Sequence, residues 1–348
     1  MSEERPRKRH TLTHHVSLSL PHKGAGHCQG CHYFSQGCQP GCKRCTDITT
    51  AGTDTCSEPG GTRTPTIMND PRLRTYQNIP SKISAGYDFT ANNPWRSPGF
   101  SPIASPCGVA AGGPKVNPAN GAVPPAGVAP NSDVRALPPT PITNATTWAA
   151  GSIQEVAWSI TANHGGGYAY RLCPRRSESD GGDDMVDLTE ECFQAHHLEF
   201  AGNTSWIQYG DVEWTRKAIN ATRTAVGTNP PGSTWTKNPI PACAGPRGGS
   251  GAGMDCKEPQ FAPPLPGLFG FGSAACFHGQ GGSCTEAEAE HWDDMFRFNI
   301  IDTVVIPADL PKGDYVLSWR WDCEQTPQVW SMCSDVAVTV TDEGAKQT

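Results

Sequence analysis

Two stretches carry residue types that can do chemistry. The first reads Trp158-Ser-Ile-Thr-Ala-Asn163-His164-Gly165-Gly166-Gly167-Tyr168-Ala-Tyr170-Arg171-Leu-Cys173-Pro174. A histidine leaving a strand into three glycines sits where the backbone can turn sharply. It can then present its imidazole on an open surface, as a metal ligand must be presented. The bland alternative is a surface turn with an idle histidine. The second stretch reads Trp319-Arg-Trp321-Asp-Cys323-Glu324-Gln325-Thr-Pro-Gln328-Val-Trp330-Ser-Met-Cys333-Ser-Asp335. Gln328 and Trp330 are two apart, so on a strand they point the same way, a side-chain amide beside an aromatic ring. As core residues, such a pair would be ordinary.

Other groups are weaker. Cys28 and Cys31, with Cys38, Cys42, Cys45 and the neighbouring His27 and His32, also fit zinc spacing. His196, His197 and His278 lie in polar surroundings and read as solvated side chains. Glu190 and Glu191 beside Cys192, and the run from Asp180 to Asp184, read as a solvated acidic loop rather than the paired carboxylates of a hydrolase. No phosphate-cradling glycine loop, nucleophile elbow or Ser/His/Asp ordering stands out.

The elements that must position these residues are mostly strands. With 38 Gly and 32 Pro in 348 residues, about a fifth of the chain interrupts regular structure, so long helices are not expected. Residues 153–160 alternate with one apolar face. Residues 303–306, the turn at 309–313 and the period-two series Tyr315, Leu317, Trp319, Trp321 predict strand, turn, strand, and Val336, Val338 and Val340 a third strand. A short helix is expected over Thr285 to Met295, capped by Thr285 and with Glu286, Glu288 and Glu290 favourable for its dipole. Proline-rich and glycine-rich stretches at about 114–142 and 244–267, the latter pinned through Cys256, read as surface connections. The expected fold class is all-β: an immunoglobulin/fibronectin-III-like antiparallel β-sandwich with long disulfide-linked loops. Its expected organisation is an atypical amino-terminal segment (1–26), a single domain (27–342) that includes a Cys-rich block at 27–65, and a tail (343–348).

Composition narrows the partners. The net charge is −7 and no basic tract follows the first ten residues, which disfavours nucleic acid. A mean hydropathy of −0.47, and no apolar run near the roughly 20 residues that cross a bilayer, disfavour a membrane span. Fifteen cysteines and sequons at Asn144, Asn203 and Asn220 point to a secreted, disulfide-stapled protein, here expected to be monomeric. The start, Met1 to His15, offers charge and histidine but no apolar signal core. That mismatch reads as an incorrect gene start, or else as an intracellular address carried by Arg5, Arg7, Lys8 and Arg9.

Several unlinked segments, in order, resemble the copper-dependent lytic polysaccharide monooxygenases, in particular chitin-binding-type proteins of algae and oomycetes. They are His32-Tyr-Phe34-Ser-Gln36-Gly37-Cys38 with Cys42 and Cys45; Asn93-Pro94-Trp95-Arg96-Ser-Pro98-Gly99; Pro106-Cys107-Gly108; the His164 stretch; Gly232-Ser-Thr-Trp235; and Gln328-x-Trp330-x-x-Cys333. The resemblance implies copper held by two histidines, one of them the first residue of the mature chain, which binds through its imidazole and its α-amine. An α-amine, with a pKa of about 7.7–8.0, gives up its proton to a metal far more readily than a backbone amide does. By resemblance His164 is the second copper ligand and His15 the candidate first one, with His14, His22, His27 and His32 as rivals. Gln328 would be the amide beside the metal, and Trp330 would stand where the family has an axial Tyr or Phe. The resemblance further implies a polysaccharide substrate such as chitin or cellulose and an external electron donor. A non-catalytic carbohydrate-binding protein that lost the amino-terminal ligand is the alternative, and an intracellular zinc module a third.

Overall fold

The computed structural model describes residues 93–103, 105–108, 132–137, 139, 142, 146–158, 163–209, 216–241, 261, 262, 264, 298–324 and 328–340, with the backbone of 16–17 and 34–36. Among these the strands are β1 (Val16–Ser17), β2 (Phe34–Gln36), β3 (Thr147–Ala149), β4 (Ile153–Trp158), β5 (Gly167–Pro174), β6 (Glu199–Phe200), β7 (Thr204–Tyr209), β8 (Lys217–Asn220), β9 (Arg223–Thr224), β10 (Trp235–Lys237), β11 (Phe298–Val305), β12 (Gly313–Asp322) and β13 (Val329–Thr339). Two short α-helices, α1 (Asp184–Asp187) and α2 (Glu190–Ala195), lie between β5 and β6. The fold is all-β, in two sheets. One runs β1-β4-β11-β7-β8 with β6 also on β11, and the other β2-β13-β12-β5-β10-β9 with β3 also on β13. Among the described residues the ladders are antiparallel except β1 on β4 and β3 on β13.

The sheets meet through aromatic side chains. Trp158 of β4 packs against Tyr168 of β5 at 4.7 Å between ring centroids and against Trp319 of β12 at 4.9 Å. A polar tie crosses the same core: the Tyr168 hydroxyl donates to Asp302 of β11 at 2.7 Å, and the Ser205 hydroxyl of β7 donates to the other carboxylate oxygen at 2.5 Å. Burial pushes Asp302 above the usual carboxylate range, against the pull of Arg223, and raises the Tyr168 phenol as well. Two disulfides are among the described residues, Cys107–Cys333 and Cys173–Cys192. The helix expected at 285–295 and the Cys-rich block, apart from the backbone of 34–36, lie outside the described residues, as do most of the two expected connections.

The period-two reading of β12 holds for the face carrying Tyr315, Leu317, Trp319 and Trp321. The opposite face is buried too. Segment 93–108 and α2 cover it: Ser318 donates to the Pro106 carbonyl at 2.9 Å, Arg320 to the Ser101 carbonyl at 2.8 Å, and the Gly99 amide to Asp322 at 2.9 Å. Glu190 corrects the expectation of a solvated acidic loop, because its carboxylate accepts from Arg171 at 2.5 Å and from Arg320 at 2.7 Å. Thr189 caps α2, its hydroxyl accepting from the Cys192 amide at 3.2 Å, and the helix turns Glu190 inward. Burial alone would raise Glu190; the two guanidiniums outweigh it and hold the carboxylate below its ordinary range. Arg171 shifts down, because burial dominates there and it shares its carboxylate with Arg320. Arg320, which also holds Asp322 at 2.7 Å, shifts up despite burial.

His197 likewise departs from the solvated reading. Both its ring nitrogens are shut from solvent and lack a hydrogen-bond partner, and the ring lies 5.9 Å from that of Trp235. Burial, with Arg171 and Arg320 adding to it, holds the imidazole well below its ordinary value of 6.5, so the folded protein keeps it neutral. The unfolded chain takes up the proton first. The stability this group contributes is therefore present above about pH 6.5 and is lost as pH falls below it, by at most about 1.4 kcal/mol per pH unit. Replacing His197 with Phe is expected to flatten the decline in urea midpoint between about pH 7 and pH 5; an unchanged slope would contradict the neutral, buried state.

Candidate functional site

His164 sits in residues 163–166, which lead directly into β5, and hydrogen bonds from three directions fix its backbone. The Asn163 side chain closes a turn by accepting from the Gly165 amide at 2.9 Å, and it donates to the Ile240 carbonyl at 3.0 Å. Asn238, just past β10, donates to the same Asn163 oxygen at 2.9 Å, and its backbone amide donates to the Gly166 carbonyl at 2.7 Å. From the far side, the Glu324 amide donates to the His164 carbonyl at 3.1 Å and the Trp321 indole to the Gly165 carbonyl at 2.6 Å.

The glycines are required by contact as well as by turn geometry. Gly166 has φ +79°, and a Cβ there would lie 2.0 Å from the Asp322 carbonyl oxygen. At Gly167 a Cβ would lie 2.2 Å from the Trp95 ring and 2.5 Å from the Thr236 carbonyl oxygen. Trp95 is itself held: its amide donates to the Cys323 carbonyl at 3.0 Å, and the preceding Asn93 side chain donates to the Glu324 carbonyl at 2.5 Å. The loop that carries His164 is thus wedged between the end of β12 and the turn at 93–99.

The structure brings two of the expected site residues together. Trp321 and Trp330 face each other across the β12–β13 ladder, with ring centroids 6.0 Å apart and planes 27° apart. The His164 ring lies 6.3 Å from Trp330 and 6.4 Å from Trp321, inclined by 25° to each. The imidazole therefore caps a tryptophan pair. This corrects one expectation: His164 is only 8% exposed, because the indoles and the wedged loop enclose it, and it does not stand on an open surface. Gln328 is half-buried and precedes β13, where its carbonyl accepts from the Cys323 amide at 3.0 Å; it is not on the strand beside Trp330.

His15 and the rival donors His14, His22, His27 and His32 lie outside the described residues. Among the described residues no three His, Cys, Asp or Glu side chains come together as a metal-holding group. His164 can thus give a metal one imidazole nitrogen, and further donors would have to come from elsewhere in the chain. Sequence reasoning missed Asn163 and Asn238 as braces of the loop. Asn163 stood directly before His164, but Asn238 is 75 residues away with no local signal.

No protein-family model matches the chain, and no curated protein matches it.

Gly202 offers a control for the wedge, since it has φ +76° but nothing within 4 Å of a Cβ. Gly202→Ala is expected to cost about 1 kcal/mol, from backbone strain alone. Gly166→Ala is expected to cost about 3 kcal/mol or more, because overpacking against the Asp322 backbone adds to that strain. Equal losses in denaturant melts would show that the close approach at Gly166 carries no weight.

Proposed function

We propose that this chain is a secreted, copper-dependent lytic polysaccharide monooxygenase-like protein on an immunoglobulin/fibronectin-III-like β-sandwich, cleaving glycosidic bonds in chitin, cellulose or a related polysaccharide. The observation that supports this most is the placement of the His164 imidazole, on a braced loop, against Trp330 at the start of β13. His164 and Trp330, two of the four residues the resemblance assigns to the site, meet there although they lie 166 positions apart, and Gln328 lies two residues before Trp330. Two disulfides and an all-β architecture fit an oxidising compartment and the expected fold.

In this reading His164 supplies one nitrogen, and a processed chain start, with His15 the candidate, supplies an imidazole and an α-amine. Protein hydrogen bonds brace the loop, so ligation would cost His164 little conformational entropy. Trp330 would stand beside the metal and, with Trp321, would keep water from the face of the imidazole that the two indoles cover. The Gln328 amide offers a donor that orients the oxygen or peroxide co-substrate. Copper, when bound, supplies the one-electron chemistry, with electrons from an external reductant. β1 runs parallel to β4, towards the end of that strand nearer His164.

The enclosure of His164 favours a second reading, a non-catalytic polysaccharide-binding protein of the same fold. Calorimetric titration of the processed, histidine-started chain with Cu(II) separates the two. One tight equivalent is expected, weakened about hundredfold by His164→Ala, a loss of about 3 kcal/mol, together with oxidised oligosaccharides released from chitin or cellulose when a reductant is present. Copper binding indifferent to His164→Ala, with polysaccharide binding intact, would leave the binder. Zinc retained on purification, with thiols appearing on chelation, would point to the Cys-rich block as a metal module.

A further inference from the structure

A cavity of about 460 Å³ opens between the edge strand β8 and the flank of β10. Its lining includes Thr204, Asn220, Thr222, Lys237, Phe261 and Pro264. Asn220-Ala-Thr222 is an N-glycosylation acceptor sequence, and both of its defining residues line the cavity. We propose that Asn220 carries an N-linked glycan whose first sugars lie in this cavity, against Phe261. The proposal rests on the reading that the chain passes through the secretory pathway, but not on copper.

The chemistry of the walls suits an N-acetylhexosamine, which has an apolar C–H face and polar groups around its rim. Phe261 and Pro264 give rigid apolar surface, and the Lys237 ammonium sits 3.9 Å from the Phe261 ring centroid. Thr204 and Thr222 supply hydroxyls. The volume lies within the range of about 300–1,000 Å³ typical of ligand pockets. A tethered sugar meets such a site at an effective concentration of order mM, so a site too weak to capture free sugar is still filled. Asn220 is exposed and so can hold a glycan after folding. Among the described residues β8 is also the terminal strand of its sheet, and a glycan there would block pairing with another chain.

Asn203 provides an internal comparison. It is exposed, belongs to the sequon Asn203-Thr204-Ser205 and lies across the same hairpin, its carbonyl accepting from the Ala221 amide at 2.9 Å, but it does not line the cavity. The test is to secrete the full chain from yeast behind a supplied leader, so that the outcome is independent of the natural destination. Site-resolved mass spectrometry then follows removal of each glycan by peptide-N-glycosidase. Occupancy at Asn220 is expected, with native removal at least about tenfold slower than at Asn203, the two rates converging after denaturation. Phe261→Ala is expected to bring the native rate at Asn220 close to that at Asn203, and Lys237→Gln serves the same purpose if the Phe261 variant does not fold. An unoccupied Asn220, equal native rates at the two sites, or protection unchanged in a folded cavity variant would overturn the proposal.

Discussion

The contact on which the site depends is the approach of the Gly166–Gly167 backbone to the end of β12 and to Trp95. At 2.0 Å from the Asp322 carbonyl there is no room for a Cβ at Gly166, and at 2.2 Å from the Trp95 ring there is none at Gly167. This closeness lets one short loop collect hydrogen bonds from Trp321, Glu324 and Asn238, which belong to two different parts of the chain. The same loop sets the His164 ring against Trp330 and Trp321, where it is almost wholly buried.

A layer of buried charge lies behind that point. Asp322, whose carbonyl limits Gly166, has its carboxylate held by Arg320 and by the Gly99 amide. Arg320 is held in turn by Glu190, which also pairs with Arg171. Desolvating several ions is costly and is repaid only when the geometry is good and the remaining donors are satisfied. A chain with this arrangement gives up stability that an apolar layer could supply, and gains a fixed position for the end of β12. The Cys107–Cys333 bridge ties the covering segment 93–108 to β13 on the same side.

Much of the fold was legible because it rests on period-two alternation. β12 follows directly from tyrosine, leucine and tryptophan spacing, whereas only the end of β11 (303–305) and the last part of β13 (336–339) are expected from the sequence. β5 was harder, since its residues from Gly167 to Cys173 are buried on both faces and show no alternation. The acidic-loop reading of 180–184 and of Glu190 and Glu191 conceals the short helices α1 and α2: at four and six residues they leave no 3.6-residue periodicity, and only the caps Asp183 and Thr189 mark them. Glu190 was misread for a related reason. Its two arginine partners come from β5 and β12, and a local sequence window does not contain them. Within the candidate site, His164 stands out by its place before three glycines and Trp330 only through the resemblance, whereas their mutual stacking is a tertiary fact. The register of β12 against β13, which sets Trp321 opposite Trp330, needed the sheet.

The central claim is that His164 provides one of three nitrogen donors to a single copper ion. It is tested most directly by electron paramagnetic resonance of the processed chain loaded with one equivalent of Cu(II), comparing natural-abundance protein with protein labelled with nitrogen-15. The account predicts axial copper whose superhyperfine pattern changes with the label as three coupled nitrogens require, with one of these couplings missing in His164→Ala. A spectrum that shows no protein nitrogen, or one unaltered by that substitution, would contradict it.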